Sequence, residues 1–317
     1  MNRFGIVIVT YNSEAEIGAC LDACLEKVGR EAVEIVVVDN RSADETRREV
    51  LGRPGVRLIA NETNDGFAAG ANRGIRALET EHVLLLNPDV QLMTGVEPLL
   101  ECCRRDGVAA AAGKLVDEQG HFQSGWAIRR FPGTGALVLE ALGLNRIWTG
   151  NPINRRYRCL DLDPERKAEV EQPAGAFLMI RRETWRRLGG FDESFRPLWF
   201  EDVDFLKRAR DSGLSTWYDP SVVAKHKGGH SVRSIPWGQI QVCWYSGLLN
   251  YASKHLSRLG CRGVSIAVIL GFTARTLARV FRDRSLKPIG VCSKVVRLAA
   301  SALAGRPQVV TAAPVLK

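Results

Sequence analysis

Val83-Leu84-Leu85-Leu86 runs without a break into Asn87-Pro88-Asp89. So short an apolar run reads as a strand buried on both faces, the pattern of a parallel sheet. Pro88 has no N–H to give to a ladder and ends the strand, which leaves Asp89 at its carboxyl end. In open α/β sheets ligands bind at that end. A carboxylate beside an asparagine suits a hard divalent cation that needs oxygen ligands and also holds phosphates. A polar strand-to-loop cap explains the junction equally well, so its meaning depends on the flanking chain.

Upstream, short apolar runs alternate with helical patterns. Phe4–Val9 reads as a strand, followed by a helix from about Glu14 to Lys27 with Asn12 or Ser13 as its N-cap. Glu34–Val38 is a second strand ending in Asp39-Asn40, and Ser42 caps a helix through about Leu51. Val56–Ala60 is a third strand, and Phe67–Leu78 a helix leading to Val83–Leu86. This alternation predicts an α/β fold with a doubly wound, mostly parallel sheet. The first strand–helix turn, Thr10-Tyr11-Asn12-Ser13, lacks the GxGxxG of a dinucleotide-binding dehydrogenase. Gly66, Gly70 and Gly74 fall on one helical face, which fits close helix packing.

Downstream, Gly113 to about Val170 carries weak signals and an arginine-rich stretch at Arg155-Arg156-Tyr157-Arg158, and reads as a mobile loop region. Gly175–Ile180 is a strand. A helix over Arg182–Leu188 stops at Gly189-Gly190. Another helix starts at Phe200-Glu201-Asp202 and runs to about Ser212, and Val222–His226 ends a strand. Gln239–His255 and Gly263–Arg282 are helices.

The chain has 317 residues, 45% hydrophobic and 25% charged, enough for one large α/β domain or two small ones. Eight cysteines without a CxxC pair exclude a zinc-ribbon site and fit reduced thiols in the cytosol. No signal-peptide h-region follows Met1-Asn2-Arg3, and no apolar run reaches transmembrane length.

The net charge of +9 is uneven: from Lys254 onward twelve basic residues face Asp283 alone, so the tail carries +11 and the rest −2. Within Gly263–Arg282, Arg275, Arg279 and Arg282 share one face, with Ile266, Ile269, Leu270, Leu277 and Phe281 largely opposite. That describes either a membrane-surface helix or a packing helix with a solvated basic face. Anionic lipid attracts such a tail by roughly 1 kcal/mol per basic residue. No nucleic-acid motif accompanies the charge, so nucleic acid is not the expected partner.

Acidic residues stand at the ends of apolar elements: Asp39, Asp89, Asp192-Glu193, and Glu201-Asp202 with Asp204. A transferase acting on a nucleotide-diphosphate donor needs an acceptor for the base's imide N–H, which Asp39 supplies. It needs a cation on the diphosphate, held by Asp89. It also needs a general base for an acceptor hydroxyl, and Asp202, at a helix start beside Trp199 and Phe200, is the candidate. Glu201 and Asp204 would orient the acceptor or hold the loop. His226 is either structural or a further ligand in a carboxylate-poor metal site. Trp126, Trp199, Trp217 and Trp237 suit sugar stacking or the core.

Taken in order, Val9-Thr10-Tyr11-Asn12-Ser13, Val38-Asp39-Asn40-x-Ser42, Asn64-x-Gly66-Phe67-Ala68-x-Gly70-x-Asn72-x-Gly74 and Leu86-Asn87-Pro88-Asp89 resemble the inverting family 2 glycosyltransferases. Gly189-Gly190-Phe191-Asp192-Glu193-x-Phe195, Glu201-Asp202-x-Asp204 and His226-x-x-Gly229-x-Ser231 fit the same family. The resemblance covers about residues 4–255 and is nearest the bacterial rhamnosyltransferase and galactofuranosyltransferase-like branch, which builds cell-envelope polysaccharides. It implies a GT-A fold, a nucleotide-sugar donor (dTDP-rhamnose-like or a UDP-sugar), Mg²⁺ or Mn²⁺, and a single displacement that inverts the anomeric carbon.

Carried over by position, Thr10, Tyr11, Asn12, Asp39, Asn72, Arg73, Asn87 and Asp89 lie on the donor side, although Arg73 also suits a helix surface. Asp202 matches the catalytic base with Glu201 beside it. Asp192, Trp199 and Asp204 fall on the acceptor side, and Asp89 and His226 match the metal ligands. Asn87 stands where the D-x-D signature has its first acid. The implied division is a nucleotide-sugar half over 1–115, an acceptor and catalytic half over 116–237, a basic helical region over 238–300 and a flexible tail over 301–317. The expected protein is a cytoplasmic enzyme, peripheral at the inner face of the plasma membrane, transferring to a lipid-linked or polysaccharide acceptor. Two other readings are a nucleotidyltransferase, which would want a glycine- and lysine-rich phosphate loop near Thr10, and a non-catalytic nucleotide-sugar-binding protein.

Overall fold

The computed structural model describes residues 4–28, 33–228 and 235–305. Its first part follows the expected alternation: β1 (Phe4–Thr10), α1 (Glu14–Val28), β2 (Val33–Asp39), α2 (Thr46–Leu51), β3 (Val56–Ala60), α3 (Phe67–Ala77) and β4 (His82–Leu86). These strands pair in parallel in the order β3-β2-β1-β4. All of β4 is buried, which explains its unbroken apolar run. The four-residue glycine spacing serves packing. A Cβ at Gly70 would meet Val9 at 2.8 Å and one at Gly74 would meet Val7 at 2.5 Å, so α3 lies directly on β1.

Beyond β4 come β5 (Val90–Leu92), α4 (Glu97–Arg104), β6 (Val108–Val116), β7 (Ile128–Arg129), α5 (Thr134–Leu142), α6 (Leu144–Ile147), α7 (Pro152–Tyr157), β8 (Ala168–Val170) and β9 (Gln172–Pro173). They are followed by β10 (Phe177–Arg181), α8 (Arg182–Arg187), α9 (Glu201–Asp211) and β11 (Ser215–His226). The stretch read as a mobile loop therefore holds strands and helices. Its leading strand was hidden by the alanines at 109–112, which have high helix propensity and low strand propensity. Ala111 and Ala110 pair edge to edge with Met179 and Ile180 of β10.

The sheet continues β4-β10-β6-β11-β5, and only its first half is uniformly parallel. β10 runs antiparallel to both β4 and β6, and β11 is parallel to β6 but antiparallel to β5. The sheet is mixed because a strand buried on both faces shows the same apolar run whichever way its neighbour points. One sheet crosses both expected halves.

α10 (Trp237–His255), α11 (Arg258–Asp283) and α12 (Lys287–Leu303) pack with α5 over a separate apolar cluster around Phe200, Leu248, Val264 and Phe272. Two expectations change here. First, α11 is long and apolar enough by length and composition to cross a membrane, although no uninterrupted apolar run signalled it. Second, its faces are largely reversed, although Arg282 stays exposed and Ile269 packs on the core. Arg275 turns inward, donating to the carbonyl of Ala141 (2.8 Å) and to the Tyr245 hydroxyl, and Arg279 lies 3.9 Å over the Trp237 ring. Leu259, Ile266, Leu270, Leu277 and Phe281 form an exposed stripe, with Phe281 80% exposed. Small residues (Gly260, Ser265, Ala267, Gly271) face the neighbouring helices instead. A Cβ at Gly271 would come within 2.2 Å of the Ala141 carbonyl, so close helix contact, together with burial of Val264, Val268 and Phe272, sets the buried face. Gly229, Ser231 and residues 306–317 of the expected tail lie outside the described residues.

Candidate active site

A cavity of about 540 Å³ opens where β1, β4, β11 and the start of α9 converge, a volume suited to a small-molecule substrate. Asn87 and Asp89 form part of its wall just past β4. The Asn87 N–H donates to the Ala176 carbonyl (2.9 Å), tying the junction to the lead-in of β10. β5 then pairs antiparallel with β11 in the register Val90↔His226, which sets His226 beside Asp89. His226 Nε2 lies 3.5 Å from Asp89 Oδ1, and both side chains are buried.

Gln123 brackets this histidine. Its Oε1 lies 3.0 Å from His226 Nδ1, and its Nε2 donates to the His226 carbonyl (2.8 Å). With the amide oxygen facing it, Nδ1 is the donor of that contact, and Nε2 is the ring nitrogen turned toward Asp89. Trp126 stacks on the ring at 4.6 Å. An imidazole nitrogen and a carboxylate oxygen fixed in this way suit Mn²⁺ or Mg²⁺. No group of three or more His, Cys, Asp or Glu side chains arranged for a metal occurs among the described residues.

Elsewhere in the cavity wall, Trp199 (φ 78°) and Phe200 (φ 74°) place two bulky residues in the left-handed region immediately before α9. Such backbone costs on the order of 1–3 kcal/mol per residue and persists only where packing enforces it. Phe200 is held against Trp244 and Tyr251. The turn delivers Glu201 and Asp202 to the cavity. Asp202 Oδ2 accepts from the Gly175 N–H (2.9 Å) and Oδ1 from the Val203 N–H (2.8 Å), which fixes the carboxylate. Glu201 is buried, and its Oε2 has no hydrogen-bond partner. Burial, with the Asp202 charge beside it, holds the Glu201 carboxyl well above the usual range.

Gly66 ties α3 to the segment before Trp199. Its positive φ and the Phe67 N–H bond to the Pro197 carbonyl (2.8 Å) seat α3 on the turn before Trp199, and a Cβ there would meet that carbonyl at 2.7 Å.

The model of the family described as "Glycosyl transferase family 2" matches residues 5–188, more than half of the chain. The chain belongs to glycosyl transferase family 2. This glycosyltransferase is 29% identical over 302 residues to the N-acetylglucosaminyl-diphospho-decaprenol L-rhamnosyltransferase of Mycobacterium tuberculosis, covering 89% of this chain and 96% of the relative. It is 24% identical to the rhamnosyltransferase WbbL of Escherichia coli K12, covering 73% and 85%. Among solved structures it superposes on GalNAc-T7 with UDP, GalNAc and Mn²⁺ at a TM-score of 0.53 and 16% identity, spanning 80% of this chain and half of that one. The expected GT-A fold is the fold observed.

Of the residues singled out from the sequence of this glycosyltransferase, Thr10, Tyr11, Asn87, Asp89, Trp126, Trp199, Glu201, Asp202 and His226 line the cavity. The others have different surroundings. Asp39 is fully buried behind Thr10, its Oδ1 accepting from Thr10 (3.1 Å) and Ser42 and its Oδ2 from the Ser42 N–H (3.0 Å) and Arg47 (2.6 Å). Asn12 accepts from the Ala43 N–H (2.8 Å). Asn72 is buried, accepting from Trp185 Nε1 (3.0 Å) and the Phe191 N–H (2.9 Å) and donating to the Phe191 carbonyl (2.8 Å), so it clamps the Gly190-Phe191 turn. Arg73 is exposed and donates to Asn61.

Asp204 is fully buried and held by Arg208, Lys254 and His255 at 2.7–2.8 Å, and Lys254 also reaches Asp192 at 2.7 Å. Burial would push the Asp204 carboxyl up, but its bonds from His255 and Lys254 outweigh that and hold it low. The group anchors α9 to α10. Trp217 and Trp237 pack under Arg105 and Arg279 instead of lining the cavity. Gln123, Arg129, Tyr157, Arg158 and Trp244 were not singled out as site residues, because they come from the weakly patterned stretch or from a helix interior.

Proposed function

We propose that this glycosyltransferase transfers a sugar, with inversion, from a nucleotide diphosphate (dTDP-rhamnose-like or a UDP-sugar) to a hydroxyl of a lipid-linked or polysaccharide acceptor in cell-envelope glycan synthesis. The lipid-diphosphate-linked form of the acceptor is favoured by the M. tuberculosis relative, whose name includes N-acetylglucosaminyl-diphospho-decaprenol. The observation that carries the reading is the presence, in one cavity, of the Asp89–His226 pair and a doubly hydrogen-bonded Asp202 carboxylate.

The nucleoside lies against Thr10, Tyr11 and Asn40, with Asp39 bracing the first of them from behind. A divalent cation held by Asp89 and His226 would neutralise the leaving diphosphate, whose oxygens would complete its coordination. Asp202 takes the proton of the acceptor hydroxyl as that oxygen attacks the anomeric carbon from the face opposite the diphosphate. Burial, which raises the Glu201 carboxyl, disfavours a second negative charge beside Asp202. The enzyme works at the inner face of the membrane, with the exposed α11 stripe, Leu286 and Ile289 as its apolar contact and neighbouring Arg258, Arg262, Arg282 and Lys287 for anionic headgroups.

Asp202→Asn tests the assignment. The amide keeps the shape and one acceptor oxygen, so nucleotide binding stays within about twofold, whereas transfer falls by roughly 10²–10⁴. Turnover near that of the parent would remove Asp202 as the base.

A further inference from the structure

The cavity has a second charged corner. Arg129, Tyr157 and Arg158 line it away from the β1–β4 edge, and Arg129 and Arg158 are the arginines of its wall among the described residues. Arg129 sits on β7, which pairs with β9 in the register Arg129↔Gln172. Three residues past Gln172, the Gly175 N–H holds Asp202. The ribbon therefore leads from the base to this corner.

Arg129 makes no ion pair with an acidic side chain among the described residues, although Arg130 beside it reaches Asp161 and Glu171. Its guanidinium donates to the Tyr157 hydroxyl at 3.4 Å, and its Nε is buried with no hydrogen-bond partner. Directly opposite, buried Gln172 leaves both amide atoms unpartnered. Residues opposite in an antiparallel pair share a face, so several unpaired polar atoms gather at one position, where burial without a partner is costly. Arg158 is a second cation, held by Asn154 (3.0 Å) and 3.6 Å from Glu140.

We propose that Arg129, with Arg158 and Tyr157, binds the diphosphate of a prenyl-diphosphate-linked acceptor. This rests on the glycosyltransferase reading above and gives its acceptor a site. The donor's diphosphate belongs at Asp89 and His226, whereas an acceptor hydroxyl at Asp202 places the rest of that molecule along the ribbon that starts from the same carboxylate. Guanidinium forks match diphosphate oxygens in a bidentate manner. Exposed apolar side chains for a prenyl chain stand next in sequence to this corner: Ile153, one turn before Tyr157 on α7, and Leu160, just beyond Arg158. Free pyrophosphate would make no use of them.

The test measures binding and turnover separately. Farnesyl diphosphate, inorganic pyrophosphate and UDP or dTDP are titrated by calorimetry into the parent, Arg129→Gln and Arg129→Lys, with thermal melts to confirm folding. Arg129→Gln is expected to weaken farnesyl diphosphate about 10- to 100-fold and to leave the nucleotides within twofold, with Arg129→Lys in between. Pyrophosphate is expected to bind more weakly than farnesyl diphosphate. In turnover, the acceptor KM rises and the donor KM does not. Equal weakening of nucleotide and farnesyl diphosphate would assign Arg129 to the donor and overturn the proposal, as would unchanged farnesyl diphosphate binding. Sugar transfer with an acceptor KM insensitive to Arg129 sinks this site alone. Arg129-dependent prenyl diphosphate binding without transfer from any sugar nucleotide would sink the glycosyltransferase mechanism and leave the site standing.

Discussion

Gly175→Ala adds one methyl group against the side chain assigned as the base. A Cβ at position 175 would stand 2.8 Å from Asp202 Cβ, 3.0 Å from Oδ2 and 3.2 Å from Cγ. Gly175 is not among the residues with positive φ, so the backbone accepts alanine and the cost is steric. Restoring a carbon–carbon separation of about 3.5 Å moves the carboxylate by roughly 0.7 Å and lengthens the Gly175 N–H bond that aims it. Catalytic groups tolerate about 0.5 Å, and a 1 Å displacement costs on the order of 10²-fold. The expected result is a 30- to 100-fold fall in kcat, estimated from that displacement cost, with UDP or dTDP affinity unchanged. Overpacking should lower stability by roughly 1–2 kcal/mol. Gly150→Ala is the control, since a Cβ there meets nothing within 4 Å. The measurement is initial-rate transfer alongside nucleotide titration and thermal melts. A folded Gly175→Ala variant whose kcat stays within about threefold of the parent would refute the claim that this N–H positions the base.

Three further outcomes follow from other parts of the structure. Glu201 has a raised pKa, so its contribution is fully present below the unfolded-state value near 4.5 and is lost as pH rises toward its folded value. Glu201→Gln should therefore gain stability over the parent with increasing pH, by about 1.4 kcal/mol per pKa unit of the upward shift; parallel melting curves from pH 4 to 8 would contradict it. Asp89→Ala should abolish the Mn²⁺-dependent part of nucleotide affinity, and Gln123→Ala should weaken it about 10- to 100-fold by freeing the His226 ring; titrations with and without chelator decide, and an equal loss in chelator rules out the metal role. On vesicles containing anionic lipid, Phe281→Asp should reduce cosedimentation roughly tenfold, from the transfer energy of one aromatic side chain; unchanged sedimentation would count against the α11 stripe as the membrane contact.

The parallel half of the fold was readable because β1, β2 and β4 are buried and separated by helices, although Ser42, expected to cap α2, bonds Asp39 instead and α2 begins at Thr46. The strand at 108–116 was not, since its alanines, paired edge to edge with Met179 and Ile180, carry no strand signature. The site divides in the same way. Asp89 and Asp202 were visible because each ends or begins an element, and position along the chain predicts position at the sheet edge. Asn72 and Asp204 share those motifs but are spent on internal bonds, and no pattern of residue types distinguishes a clamp from a ligand. Arg275 shows why helical periodicity identifies faces without saying which one turns inward. Its neighbours Gly271 and Phe272 settle that, through a contact with α5 that lies far away in sequence.

The Val90↔His226 pairing also bears on how the protein acquires its activity. Asp89 follows the fourth strand to be synthesised, and His226 closes the last, so their meeting waits until nearly the whole sheet has been laid down. Strand side chains alternate between faces, and a slip of one residue would turn the imidazole away from the carboxylate. Any ligand that engages both groups selects the correctly registered chain and stabilises it by mass action. On the proposed reading, a nucleotide bound with a divalent cation would therefore raise the melting temperature of the correctly registered fold.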